Sequence, residues 1–245
     1  MGLIEVDAVS KAFWIPNERR DTVREHFLGL LRPRRFDRLQ ALDAVSFTLR
    51  QGETLGVMGR NGSGKSTLLK IVCGVYAPDA GKVIVRGAVT PILELGVGWN
   101  PELDAVDNIL LIGSVMGLSL GELRRDMEEI LAFAELERFA NLKLKHYSTG
   151  MSARLGYAVA FKAVRDVLVL DEIFAVGDAG FRKRCEERYW QLHAQGHTVI
   201  VVSHDPRTIA GFCDRALLLD GGRIVMEDTG VAVADRYVSL LTSGS

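Results

Sequence analysis

Residues Gly59 to Thr67 read GRNGSGKST and fit the pattern G-x-x-x-x-G-K-[S/T]. Glycines at this spacing let the backbone wrap closely, so that several N–H groups point at one phosphate. An apolar run, Thr54–Met58, precedes the loop, and Leu68–Val72 continue it with helical character. A helix N-terminus at that place adds its positive dipole end. Gly59, Asn61, Gly62, Ser63, Gly64 and Thr67 are expected to form the cradle. Lys65 is expected to reach the β- and γ-phosphates of a nucleotide, and the Ser66 hydroxyl to ligate Mg²⁺. A glycine-rich turn could match by accident, but the strand–loop–helix context argues against it.

Two further groups suit the same chemistry. Val167–Leu170 is an apolar run that ends in Asp171 and Glu172. Charges at the end of a buried strand need partners. Asp171 suits a Mg²⁺ partner beside Ser66, and Glu172 suits a base that orients an attacking water. Val199–Val202 leads in the same way to Ser203 and His204. Ligands of open α/β sheets sit at the carboxyl ends of strands, which would turn His204 toward the γ-phosphate. His193 and His197 have i, i+4 spacing but no accompanying acid or cysteine motif, so they read as surface residues.

The elements that must position these groups are partly legible. Leu3–Val9 and Ala44–Leu49 alternate as half-buried strands, the second with Val45, Phe47 and Leu49 on one face. Thr54–Met58, Val167–Leu170 and Thr198–Val202 are continuous apolar runs, as buried parallel strands require. Val83–Val85 and Leu217–Leu219 add strand character. Ser119 and Glu122 match a capping box, followed by Leu123, Met127, Ile130, Leu131 and Ala134 at helical spacing. Val231, Ala234, Tyr237, Val238 and Leu241 suggest a closing amphipathic helix.

Composition narrows the class. Of 245 residues, 48% are hydrophobic, which excludes a disordered chain. Thirty basic against 31 acidic residues leave a net charge of −1, unlike the basic excess of most nucleic-acid binders. The longest uncharged apolar stretch, Asn108–Leu120, falls short of the ~18–20 residues that cross a bilayer. Met1–Val9 lacks the basic and apolar regions of a signal peptide. Cys73, Cys185 and Cys213 are scattered, without zinc spacing, as suits a reducing compartment.

Taken together, these pieces resemble the nucleotide-binding subunit of an ABC transporter over nearly the whole chain. The family's signature loop is commonly Leu-Ser-Gly-Gly-Gln; here Tyr147–Met151 reads YSTGM and keeps Ser148 and Gly150. A serine hydroxyl and backbone amides at a helix start still make an anion site, although Ser148–Gly150 alone would pass as a helix cap. The resemblance implies an α/β P-loop NTPase (RecA-like) fold: a parallel-sheet core with an N-terminal antiparallel β-subdomain and a helical subdomain. It implies one domain, with 1–93 and 166–245 as core and β-subdomain, 94–165 as the helical subdomain and 14–42 as an N-terminal insertion. It implies ATP and Mg²⁺, with Phe13 stacking on adenine (Trp14 being the rival). Ser148, Thr149 and Gly150 would meet the partner copy's ATP, and Asp178 would stand in the loop that links the two ATP sites. Glu94 lies near the place of the usual Mg²⁺-sensing glutamine. The stretches around Glu94, Tyr147 and 175–185 resemble the branch that exports O-antigen, capsule and teichoic acid. Some members of that branch carry a C-terminal carbohydrate-binding domain, and Thr242–Ser245 would suit the start of a linker.

That reading implies a homodimeric ATPase at the cytoplasmic face of the bacterial inner membrane, with a separate transmembrane permease and no nucleic-acid partner. The rivals are an ABC ATPase for a lipid or drug cargo, a soluble ABC ATPase acting on ribosomes or DNA, and a regulatory module without turnover. Long connections such as Trp14–Leu42 tend to be functional or disordered. Trp14–Gln40 holds seven arginines against four acids, a local +3. Thr22 and Glu25 make a capping box before a stripe of Val23, Phe27, Leu30 and Leu31, stopped by Pro33. The segment reads either as a solvated amphipathic helix or as one that docks near the membrane. In the second case Arg32, Arg34 and Arg35 attract lipid phosphate or the pyrophosphate of a lipid-linked glycan.

Overall fold

The computed structural model describes residues 2–16, 36–92, 98–171 and 178–243. In chain order the strands and helices are β1 (Ile4–Pro16), β2 (Phe36–Leu49), β3 (Thr54–Gly59), α1 (Lys65–Val72), β4 (Ala80–Val85), β5 (Val89–Ile92), α2 (Ala105–Val115), α3 (Leu120–Ala134) and α4 (Thr149–Lys162). There follow β6 (Val167–Asp171), α5 (Ala179–Ala194), β7 (Thr198–Val202), α6 (Pro206–Phe212), β8 (Arg215–Asp220), β9 (Arg223–Thr229) and α7 (Gly230–Ser243).

The continuous apolar runs become central strands. Every residue of β3 and β7 is buried. Their sheet has the order β5-β6-β7-β3-β8-β9, parallel from β5 to β8, with β9 antiparallel at the edge. Successive side chains of a strand point to opposite faces, and the core divides accordingly. Val169, Ile200, Val202, Leu217 and Leu219 pack with α1 and the smaller sheet. Leu168, Leu170, Val199, Val201 and Leu218 pack against residues of α4, α5, α6 and α7. The smaller sheet is antiparallel, in the order β2-β1-β4. Helices α2, α3 and α4 bury a third cluster around Ile109, Leu123, Ile130 and Leu155. Helix α3 begins on the expected capping box, with Ser119 and Glu122 each bonding the other's backbone N–H. Among the described residues, no helix is long and apolar enough to cross a membrane.

Several elements differ from the sequence expectation. The first two strands run beyond Leu3–Val9 and Ala44–Leu49, pairing Phe13 with Leu39, Trp14 with Arg38 and Pro16 with Phe36. Both flanks of the expected 14–42 connection are therefore strand. Trp14, Ile15, Phe36 and Leu39 are all exposed there, so no alternation of burial marks them. Strands β5 and β9 lie at the sheet edges, and neither was expected. Pro91 breaks the apolar pattern of β5, and a proline is tolerated at an edge because its ladder hydrogen bond is not needed. The closing helix turns a different face inward: Val233, Ala234 and Tyr237 are buried, whereas Val231, Val238 and Leu241 are exposed. Its inward face meets α6, β8 and β9, a geometry that residue spacing within the helix does not encode.

Candidate functional site

Strand order assembles the site. β6, β7 and β3 are neighbours, with Asp171 opposite Val202 and Val202 opposite Val57. Their carboxyl ends therefore share one edge: Asp171 ends β6, Ser203 and His204 follow β7, and the phosphate-type loop follows β3. Neighbouring strands lie about 4.8 Å apart, so Asp171 and the loop stand roughly 10 Å from each other across the sheet.

The loop leaves β3 at Gly59 and enters α1 at Lys65. Gly62 (φ 80°) and Gly64 (φ 107°) occupy the left-handed region. A Cβ on Gly64 would lie 2.4 Å from the Ala41 carbonyl oxygen. Gly64→Ala is thus expected to cost about 2–4 kcal/mol, from a left-handed alanine and a backbone clash together. A urea titration of both chains measures it; a midpoint equal to that of the parent would show that the loop does not hold this conformation.

The Lys65 ammonium donates to the carbonyl oxygens of Gly59 (2.7 Å) and Arg60 (3.0 Å), across the loop. Helix α1 has no side-chain cap and no acid in its first turn, so its dipole end is left for an anion. The Ser63 hydroxyl is buried and has no hydrogen-bond partner among the described residues. A cavity of about 430 Å³ opens over the loop. Asn61, Gly62, Gly64, Lys65, Ser66 and Thr67 line one side, and Phe13, Leu39, Gln40 and Ala41 of the β1–β2 hairpin line the other. A glycine cradle that excludes Cβ atoms, a lysine, a serine at the mouth and an aromatic wall fit a nucleotide carrying a divalent cation.

Phe13 therefore stands at the cavity and meets Tyr76 edge-on, with ring centroids 5.6 Å apart. Its rival Trp14 is 67% exposed and does not line the cavity. Leu39, Gln40 and Ala41 were missed by sequence reasoning; only the hairpin register brings them opposite the loop. His204 is exposed at the carboxyl end of β7. Behind it the buried Ser203 hydroxyl accepts from the Asp205 N–H, and Asp205 caps α6 by accepting from the Arg207 N–H. Burial opposes ionisation of Asp205, but its hydrogen bonds with Arg207 keep its carboxyl below the usual range.

Ser148 caps α4 and accepts from the Met151 N–H at 3.1 Å. Ser148, Thr149 and Gly150 are exposed, and none of them lines the phosphate-loop cavity. Within one chain, then, the two expected halves of the nucleotide site do not meet. Asp178 caps α5, and its bond from the Phe181 N–H, with Arg154 nearby, holds its carboxyl below the usual range. Glu172, Glu94 and Arg32, Arg34 and Arg35 lie outside the described residues, and of Asp171 the structure gives the backbone place alone.

A family model described as "ABC transporter" matches residues 42–175. The chain is 42% identical over 202 residues to the ABC transporter protein AbcA of Aeromonas salmonicida, covering 82% of this chain and 66% of that one. It is 39% identical over 207 residues to the O-antigen export system ATP-binding protein RfbB of Myxococcus xanthus, covering 83% of this chain and 47% of that one. The chain thus spans about two thirds and about half of these two relatives. In fold it is similar to a solved dimeric ATP-binding cassette in a post-hydrolysis state with ADP and Pi bound. The TM-score is 0.73 at 24% identity, over 92% of this chain and 98% of that one.

Proposed function

The chain belongs to the ABC transporter family, and from that premise we propose that it is the ATP-hydrolysing subunit of a polysaccharide exporter. The cargo is a lipid-linked, O-antigen-like glycan, carried across the bacterial inner membrane by a separate transmembrane permease that this chain serves from the cytoplasmic face.

The observation that supports ATP use most directly is the loop after β3. Its uncapped helix end, its glycines and Lys65 all converge on one cavity that Phe13 walls. In this reading Phe13 stacks on the adenine, the loop N–H groups and Lys65 hold the phosphates, and the Ser66 hydroxyl and Asp171 hold Mg²⁺. The bound ion neutralises charge on the phosphate oxygens. Glu172 takes a proton from the attacking water, and His204 hydrogen-bonds the γ-phosphate from the end of β7. Glu94, near the glutamine's usual place in the sequence, would be a further ligand for the cation.

Ser148, Thr149 and Gly150 are exposed at a helix start and lie away from their own cavity, which supports a homodimer. Two copies related by a twofold axis complete two identical sites, each with the loop of one chain and the Ser148 end of the other. ATP contacts both chains and favours the closed dimer; its hydrolysis removes contacts and favours the open one. Arg32, Arg34 and Arg35 would attract lipid phosphate or the pyrophosphate of the glycan carrier.

The cargo rests on the relative that exports O-antigen. A strain lacking this chain is expected to lose surface polysaccharide and to accumulate the lipid-linked glycan inside, with both restored by the wild-type chain. Unchanged surface polysaccharide on blots of that strain would contradict the cargo.

A further inference from the structure

We infer that Tyr76 is a positioning residue for the nucleotide base: it fixes the Phe13 ring before the base arrives and ties that ring to the helix that receives the phosphates. The inference rests on the adenine stacking read above for Phe13. Tyr76 is not among the residues that line the cavity, so it acts through its neighbours. Its ring meets Phe13 with centroids 5.6 Å apart and planes at 66°. The Tyr76 N–H donates to the Lys70 carbonyl oxygen at 3.1 Å, as the Val75 N–H does at 2.8 Å. The Lys70 ammonium lies 5.8 Å from the Tyr76 ring centroid. Three residues on, the Asp79 N–H donates to the Ser10 carbonyl oxygen at 2.9 Å. The Asp79 carboxylate accepts from the Lys11 ammonium at 2.8 Å and from the Ala12 N–H at 2.7 Å. Lys11 in turn holds its ammonium 5.8 Å from the Phe13 ring centroid.

The segment between α1 and β4 is thus pinned at one end to α1 and at the other to the strand that carries Phe13. Lys70 follows Ser66 by about one helical turn. The support of the ring therefore leaves the same short helix that begins at the phosphate loop. Phe13 is only half-buried, and a ring on an exposed strand end can turn among staggered rotamers. Ordering such a side chain on binding costs affinity. An edge-to-face aromatic contact prefers one relative geometry, so Tyr76 imposes that order beforehand. In this reading the base touches Phe13, and the phosphates touch the loop and Lys65. Tyr76 therefore strengthens the hold on a nucleotide and leaves both the hold on a bare polyphosphate and the rate of phosphoryl transfer as they are.

The test uses the full chain and follows hydrolysis against ATP concentration, with inorganic tripolyphosphate as the competitor that has no base. Phe13→Ala is expected to raise the KM for ATP roughly tenfold, the loss of one stacked base. Tyr76→Ala is expected to raise it roughly fivefold, with kcat and the inhibition constant of tripolyphosphate each within about twofold of wild type. Tyr76→Phe keeps the ring and should restore the wild-type KM. Adding Tyr76→Ala to Phe13→Ala should raise KM no further, because the tyrosine then has no ring to position. If Tyr76→Ala does not fold, Tyr76→Leu decides by the same readouts. A merely structural tyrosine would lower Tm and weaken ATP and tripolyphosphate alike, and that result overturns the inference. A wild-type KM in Tyr76→Ala, beside a raised one in Phe13→Ala, overturns this inference alone. A wild-type KM in Phe13→Ala overturns the adenine stacking and this inference with it.

Discussion

Lys65→Ala is expected to lower ATP hydrolysis by roughly 10²–10³-fold, the loss that follows removal of one preorganised charge-stabilising donor. The lysine is well placed for that role. Its ammonium is tethered across the loop to the carbonyl oxygens of Gly59 and Arg60, at the start of a helix with no side-chain cap. Charge that develops on the transferred phosphoryl group would meet an ammonium already in position, with little reorganisation left to perform. The same structure indicates why folding should tolerate the change. Lys65 makes two ordinary hydrogen bonds to these carbonyls, the one to Arg60 in an exposed position, so the stability cost should be about 1 kcal/mol. Steady-state hydrolysis and a thermal melt of the same preparation separate the two effects. Turnover within about threefold of wild type would remove Lys65 from the mechanism.

The second large effect is expected at Glu172. A glutamine there keeps the size of the side chain but cannot take a proton from water. General-base catalysis is worth typically 10²–10⁴-fold, and Glu172→Gln should lose that much turnover. Nucleotide affinity should stay close to wild type, because in this reading the phosphates are held by the loop, Lys65 and the end of α1, and the glutamine leaves all of them in place. Loss of affinity equal to the loss of turnover would make Glu172 a binding residue and leave the base unassigned. The pairing of the two variants is informative. Lys65→Ala weakens hold on the phosphates and should leave little ATP bound, whereas Glu172→Gln should accumulate bound ATP.

What was legible in the sequence was local. The loop from Gly59 to Thr67 carries its whole mechanism in nine consecutive residues, and its glycines have the conformations that its pattern demands. The buried strands β3, β6 and β7 were equally plain, because a strand covered on both faces must be apolar throughout. The gathering of Asp171, His204 and the loop at one edge was an expectation from the rule for parallel sheets; the order β6-β7-β3 supplies the physical reason. Other parts depend on residues distant in the chain. The outer part of the β1–β2 pair, where Trp14 and Ile15 pair with Arg38 and Asp37, carries exposed side chains, so neither alternation nor composition announces it. Leu39, Gln40 and Ala41 reach the cavity through that pairing alone. Glu135, Arg154 and Arg184 belong to no motif in the sequence; the packing of α3, α4 and α5 joins them with Asp178 in one cluster.

The account depends most on one point, that an ATP site is complete only when two copies meet. Ser148, Thr149 and Gly150 are exposed and do not line the cavity of their own chain, and in the proposed dimer a second chain supplies them. Sedimentation of Glu172→Gln with and without ATP and Mg²⁺ tests this directly, because the variant should hold the nucleotide without consuming it. The predicted result is a species of twice the chain's mass that forms only with ATP and disappears when Ser148 is also replaced by arginine. A chain that binds ATP and still sediments as a monomer would contradict the shared site.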